Sequence, residues 1–161
     1  IVRRHRLIER FLTDVLNIPW DEVHEEAERL EHAMSPKLEE RMLAAIGDAK
    51  TCPHGHPIRP GDRVEGVPLA DVEEGAKVTV LRFENEAESL LHLFKDEGLS
   101  LGKEGKVAEV DADHVVVAFA DGNATLTLSV SETVSVLADP SPPPRTALPE
   151  QLVLAKERYG R

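Results

Sequence analysis

Apolar positions repeat with two different periods along this chain. Leu7, Ile8, Phe11, Leu12, Val15 and Leu16 recur at helical spacing, which predicts an amphipathic helix over residues 2–16. Asn17, Ile18, Pro19 and Trp20 interrupt that pattern, and Asp21 is placed to cap a second helix with Val23, Ala27, Leu30 and Met34 as its core stripe. Ser35 followed by Pro36 reads as an N-cap with proline at the first helical position. A third helix then turns Leu38, Met42, Ala45 and Ile46 inward and stops at Gly47. Three short helices expose more apolar surface than they can bury among themselves, which predicts a dimer interface.

Residues 51–66 carry Pro and Gly without periodicity and read as a linker. Beyond them the period changes to strict alternation, with strands expected over 77–82, 106–110, 114–119, 124–129 and near 134–137. A helical stretch over 87–97, with Gly98 behind it, interrupts the series. Five short strands and one helix predict a small, strongly bent β-barrel of the SH3 kind over 67–138. The expected fold class is therefore α+β: a helical domain over 1–50, then a small SH3-like β-barrel. In the tail, over 139–161, Ser141-Pro142-Pro143-Pro144 is extended and stiff, and 149–159 has room for an amphipathic turn or two.

Charge narrows the function classes. With 30 acidic against 19 basic residues and a net charge of −11, this stretch lacks the basic face that phosphate neutralisation needs. Its basic cluster, Arg3-Arg4-His5-Arg6, is too small to serve as a nucleic-acid stripe. The single cysteine, Cys52, excludes an internal disulfide framework and fits a reducing cytoplasm. No run approaches the length of a membrane span, and nothing resembles a signal peptide. The chain begins at Ile1 with a helical pattern already under way, which reads as a protein whose beginning has been removed.

The chemistry concentrates on the first two helices. His24, Glu28, Glu31 and His32 fall within about a 100° arc of the second helix. His5 and Glu9 stand at i, i+4 spacing on the first and are able to face them. Imidazole plus carboxylate is the ligand set of manganese or ferrous iron. The competing readings are a solvated acidic face and an i, i+4 ion pair worth a few tenths of a kcal/mol. Cys52, His54 and His56 are three metal-competent residues in one short loop, but their spacing matches no standard zinc pattern and the loop is too tight to close a tetrahedral site on its own. His24-Glu25 begins like the zinc-protease His-Glu-x-x-His motif, yet Glu28 stands where the second histidine belongs. No nucleophile triad, P-loop or dinucleotide fingerprint is present, and catalysis is not expected.

Arg4-His5-Arg6-Leu7-Ile8-Glu9-Arg10-Phe11-Leu12, the run from Val23 through His32, Met34-Ser35 and the loop from Cys52 through Ile58 resemble the diphtheria-toxin-repressor family of iron- and manganese-dependent transcriptional regulators. Residues 67–137, with Pro68-Leu69 and Leu99-Ser100-Leu101-Gly102, resemble that family's SH3-like domain, similar to a ferrous-transport accessory domain. The resemblance implies a winged helix-turn-helix ahead of Ile1, then a helical metal-binding and dimerisation domain, then the barrel. It implies a primary, activating metal site at Glu28, Glu31 and His32, with Glu28 where the iron-type members carry cysteine, as in the manganese type. It further implies an ancillary site at His5, Glu9 and His24 that couples the helices to the barrel. Glu84 or Glu86, after the first barrel strand, would complete that site, and Arg6 would hold an anion beside the loop.

The expected cofactor is Mn²⁺ or Fe²⁺ acting as co-repressor. The expected partners are a second copy of the chain and operator DNA, reached through the missing N-terminal domain, with no membrane and a cytoplasmic location. Two readings of function stay open. One is the metal-sensing, dimerising portion of a DNA-binding repressor that controls Fe/Mn homeostasis. The other is a stand-alone divalent-metal-binding interaction module or a metallohydrolase. A winged-helix motif upstream of Ile1 decides for the first.

Overall fold

The computed structural model describes residues 3–61 and 65–145. Helix α1 (Arg4–Leu16) ends where Asn17 turns left-handed, φ 58°, and returns its N–H to the Leu12 carbonyl; Asn tolerates that conformation better than most side chains. Helix α2 (Val23–Glu31) follows, then α3 (Pro36–Ala45), capped by the Ser35 hydroxyl, which accepts from the Leu38 amide at 3.2 Å. Leu7, Ile8 and Leu12 pack with Val23, Ala27, Met34, Met42 and Ile46 into one core, and Ile58 from the following loop completes it.

The rest of the described chain is a six-stranded antiparallel sheet in the order β1-β6-β2-β3-β4-β5. It comprises β1 (Val67–Pro68), β2 (Lys77–Phe83), β3 (Glu104–Val110), β4 (His114–Phe119), β5 (Gly122–Thr127) and β6 (Val134–Asp139), with α4 (Glu88–Asp96) after β2 and a short α5 (Leu128–Ser131) after β5. This is the expected α+β arrangement, helices followed by a small SH3-like barrel. Val78 and Val80, Val115 and Val117, and Ala124 and Leu126 point inward by strict alternation. The strand expected over 124–129 instead starts at Gly122 and stops at Thr127, whose hydroxyl accepts from the Val130 amide and caps α5. No helix of the described residues is long and apolar enough to cross a membrane.

What positions the functional side chains is the seam between the two cores. A β-bulge shifts the pairing of β2 with β6 between Val80 and Arg82, so Arg82 and Phe83 are both buried at the strand's end. Phe83 stacks on Phe94 of α4 at 4.5 Å and on Trp20 at 5.2 Å, between ring centroids. Beside that stack the buried Asp21 carboxylate accepts from His92 Nδ1 at 2.8 Å and Lys95 Nζ at 3.1 Å, both on α4. The loop of residues 51–58 lies directly on β2: the Phe83 amide donates to the His54 carbonyl at 2.9 Å. Gly55, at φ +93°, comes so close that a Cβ there would stand 2.3 Å from the Leu81 carbonyl oxygen.

Candidate metal centre

Glu9 is fully buried on the inward face of α1, between Leu7 and Ile8 on one side and Leu12 on the other. A buried carboxylate is costly without partners, and its partners are imidazoles. Glu9 Oε2 lies 3.1 Å from His24 Nδ1, 3.5 Å from His54 Nδ1 and 3.6 Å from His5 Nε2. His5 and His24 also face each other, Nε2 to Nδ1, at 3.0 Å. Glu86, carried to the seam by the turn after β2, reaches His54 Nδ1 at 2.9 Å, His24 Nδ1 at 3.6 Å and Cys52 Sγ at 3.7 Å. The ligand atoms of His5, Glu9 and His24 lie within 4.8 Å of one another, and so do those of Glu9, Cys52, His54 and Glu86.

Two of the imidazoles are aimed by their outer nitrogens. His5 Nδ1 sits 3.1 Å from Glu31 Oε2, and His54 Nε2 donates to the Trp20 carbonyl at 2.5 Å. Each ring therefore turns its other nitrogen toward the carboxylates, the arrangement by which metal-ligating histidines are held. The hydrogen bond to Glu9, opposed by burial and helped by Glu31, raises His5 to about 9. Burial lowers the His54 imidazole, but Cys52, Glu86, Glu9 and the Trp20 carbonyl outweigh it and raise it to about 10. Burial pushes the Glu86 carboxyl up, and the hydrogen bond and charge of His54, with His56 and His24, bring it down to about 2.

A divalent cation fits this donor set. Glu9 Oε1 is buried with no hydrogen-bond partner, although nearly all such atoms in folded proteins have one. A divalent cation held by these residues would balance the buried Glu9 charge once the imidazoles had given up their protons. Three nitrogens, two carboxylates and one sulfur suit a transition metal.

The remaining candidates fall elsewhere. Glu28 stands exposed on α2 and His32 exposed at its C-cap, and Glu31 is half-buried against His5. Glu84 accepts from Arg82 and, at 2.8 Å, from the Ser135 hydroxyl, and is not among the residues that gather around Glu9. Arg6 donates to the Pro57 carbonyl at 2.9 Å and, with Arg3, His56, Arg82 and Glu84, lines a cavity of about 290 Å³. Sequence reasoning singled out Cys52 and His54 but set them aside on spacing; the structure brings both beside Glu9 and Glu86. The loop does not close a site alone, as its spacing indicated, but α1 supplies Glu9 and the barrel supplies Glu86. His56 donates to the Phe83 carbonyl at 2.7 Å and stands at the edge of the cluster.

Residues 1–60 match the family described as iron dependent repressor, metal binding and dimerisation domain. The diphtheria toxin repressor of Corynebacterium jeikeium is 44% identical over 76 residues, which are 46% of this chain and 31% of that protein. The iron-dependent repressor IdeR of Mycobacterium tuberculosis is 39% identical over 92 residues, 50% of this chain and 40% of that protein. The match thus spans less than half the length of these curated relatives. A solved manganese-dependent transcriptional repressor is 34% identical, with a TM-score of 0.78 over 85% of this chain and 78% of its own. A second, a manganese-dependent transcriptional repressor in complex with manganese, is 35% identical, with a TM-score of 0.76 over 85% and 69%. The chain belongs to the diphtheria-toxin-repressor family of iron- and manganese-dependent transcriptional regulators.

Proposed function

We propose that this chain is the metal-sensing and dimerising portion of a transcriptional repressor that controls Fe/Mn homeostasis, with Mn²⁺ or Fe²⁺ as co-repressor. The observation that carries the reading is the buried Glu9 carboxylate, one oxygen unpartnered, at the meeting point of His5, His24, His54 and Glu86. Its ligands come from α1, α2, the loop of residues 51–58 and the turn after β2. A bound ion therefore fastens the helical unit, proposed as residues 1–50, to the barrel, proposed as 67–138. Glu28, Glu31 and His32 are the proposed activating site, supported by their i, i+3, i+4 spacing along α2 and its C-cap, and a ligand from a preceding segment would complete it. Arg6 is proposed to hold an anion in the cavity that it lines with Arg3 and Arg82.

The proposed homodimer uses the exposed apolar side chains Val15, Leu16 and Leu38 and the adjoining groove lined by Leu12, Ile18, Leu30 and Ala33. Metal then shifts the population toward one dimer geometry in which the DNA-binding segments of the parent protein stand in fixed register. No catalytic role is proposed, and the cytoplasm is the proposed location. The test is operator binding by the parent repressor, measured by mobility shift as Mn²⁺ is titrated and then chelated. Binding that requires the ion supports the reading; binding indifferent to ion and chelator overturns it.

A further inference from the structure

Asp21 stands where a helix cap is expected, yet α2 begins at Val23 behind Glu22, and no side chain caps it. The Asp21 carboxylate is buried and turned to the barrel instead. Its Oδ2 accepts from His92 Nδ1 at 2.8 Å and its Oδ1 from Lys95 Nζ at 3.1 Å, both on α4. A buried carboxylate is costly without such partners, so the two bonds fix where the turn before α2 can sit.

That turn stands behind two candidate ligands. The chain changes cores within it: Trp20 packs against the barrel core, and Val23 lies in the helical core. On one side of Asp21, the Trp20 carbonyl accepts from His54 Nε2, which leaves His54 Nδ1 facing Glu9 and Glu86 at 3.5 and 2.9 Å. On the other side His24, the second residue of α2, faces Glu9 through Nδ1 at 3.1 Å.

We infer that Asp21 is a positioning residue for the metal centre. Gripped by His92 and Lys95, it sets the Trp20 carbonyl behind His54 and the first turn of α2 behind His24. Helix α4 thereby governs two ligands that the barrel does not carry. The inference rests on the metal-sensing reading above and deepens it. Partners that aim a ligand ring typically change metal affinity by about 10- to 100-fold; Asp21 acts one bond further back and belongs at the lower end.

The test is His92→Ala combined with Lys95→Met in the 161-residue chain. It strips Asp21 of both partners and alters no ligand, and both side chains are about half exposed. In the ion-free protein, proton NMR reads the His54 Nε2–H, which burial protects from exchange; calorimetry then reads Mn²⁺ affinity. The ring proton is expected to move upfield as its bond to Trp20 loosens, and the Mn²⁺ dissociation constant to rise about 10-fold. Lys95→Arg keeps a cation at Asp21 and is expected to leave both at wild-type values. An unmoved ring proton in the folded double variant overturns the positioning role, and a moved proton with an unchanged dissociation constant overturns its bearing on the ion. Lys95→Arg as impaired as Lys95→Met also overturns it. A wild-type chain that binds no Mn²⁺ overturns the metal-sensing reading instead, and the ring proton alone then decides what Asp21 does. Should the double variant unfold, Lys95→Met decides by the same two readings.

Discussion

Adding one methyl group at Gly55 tests whether the barrel is a working wall of the metal centre. In Gly55→Ala the new Cβ would meet the Leu81 carbonyl oxygen at 2.3 Å and Arg82 Cα at 2.8 Å, both backbone atoms of β2 that cannot swing aside. Reaching ordinary contact distance requires the loop to retreat by roughly 1 Å. Cys52 and His54 retreat with it, whereas metal–ligand distances tolerate only about 0.2 Å. Overpacking of this sort costs about 1–3 kcal/mol, and the left-handed conformation at φ +93° adds about 1–2 kcal/mol for a residue with a Cβ.

Only the first of these costs is relieved by opening the seam, so only that part weakens a site whose ligands come from both sides. At 1.4 kcal/mol per decade, the dissociation constant for Mn²⁺ rises about 5- to 140-fold. Calorimetric titration reads the affinity. The emission of Trp20, the one tryptophan in the chain, reads the docking, because its ring stacks on Phe83 and its carbonyl accepts from His54. Gly47→Ala is the matched control: φ is also positive, 62°, but nothing lies within 4 Å, so it carries backbone strain and no clash. Wild-type affinity and unchanged Trp20 emission in Gly55→Ala would show that the barrel is no wall of the metal centre.

Three further outcomes follow from the same structure. The hydrogen bonds to Asp21 and Glu88 raise His92 above its ordinary 6.5, and although burial pushes Asp21 up, Lys95 and His92 hold it below its ordinary 3.8. The Asp21–His92 pair therefore stabilises the seam fully between those two ordinary values and fades as pH rises through the raised His92 value. Thermal melts of wild type and His92→Gln should accordingly converge as pH increases, and a constant difference contradicts this. Glu28→Cys, in the parent repressor, should shift activation from Mn²⁺ toward Fe²⁺ in operator-binding assays, because a soft thiolate replaces a hard carboxylate; an unchanged ratio shows that Glu28 does not set selectivity. Leu16→Glu places a charge on a side chain that is 57% exposed beside the apolar groove, and sedimentation should then report a monomer. A dimer of unchanged affinity argues for another interface.

How far the site was legible in the sequence depends on the range of the contacts that build it. His5 and Glu9 share a helix face by spacing alone, and the break at Asn17 through Trp20 fixes how α2 returns with His24. Local pattern carries that much. Cys52 and His54 could not be assigned in the same way, because what completes their site is Glu9, far behind them in sequence, and Glu86, far ahead. The choice between Glu84 and Glu86 was equally out of reach: the bulge after Val80 breaks the two-residue period, so alternation along β2 does not run on into the turn. The strand pattern was clear where one face is buried, as in β4, and silent for the two-residue β1. The turn or two expected over 149–159 lies outside the described residues.

The proposed tie between the helices and the barrel is an ion bound at Glu9. Its most direct test is a crystal of this chain grown with Mn²⁺, with anomalous differences measured at the manganese edge. Anomalous density is expected at the seam, within coordinating distance of Glu9, His24 and Glu86. Density confined to Glu28, Glu31 and His32, with Glu9 unliganded, would contradict it.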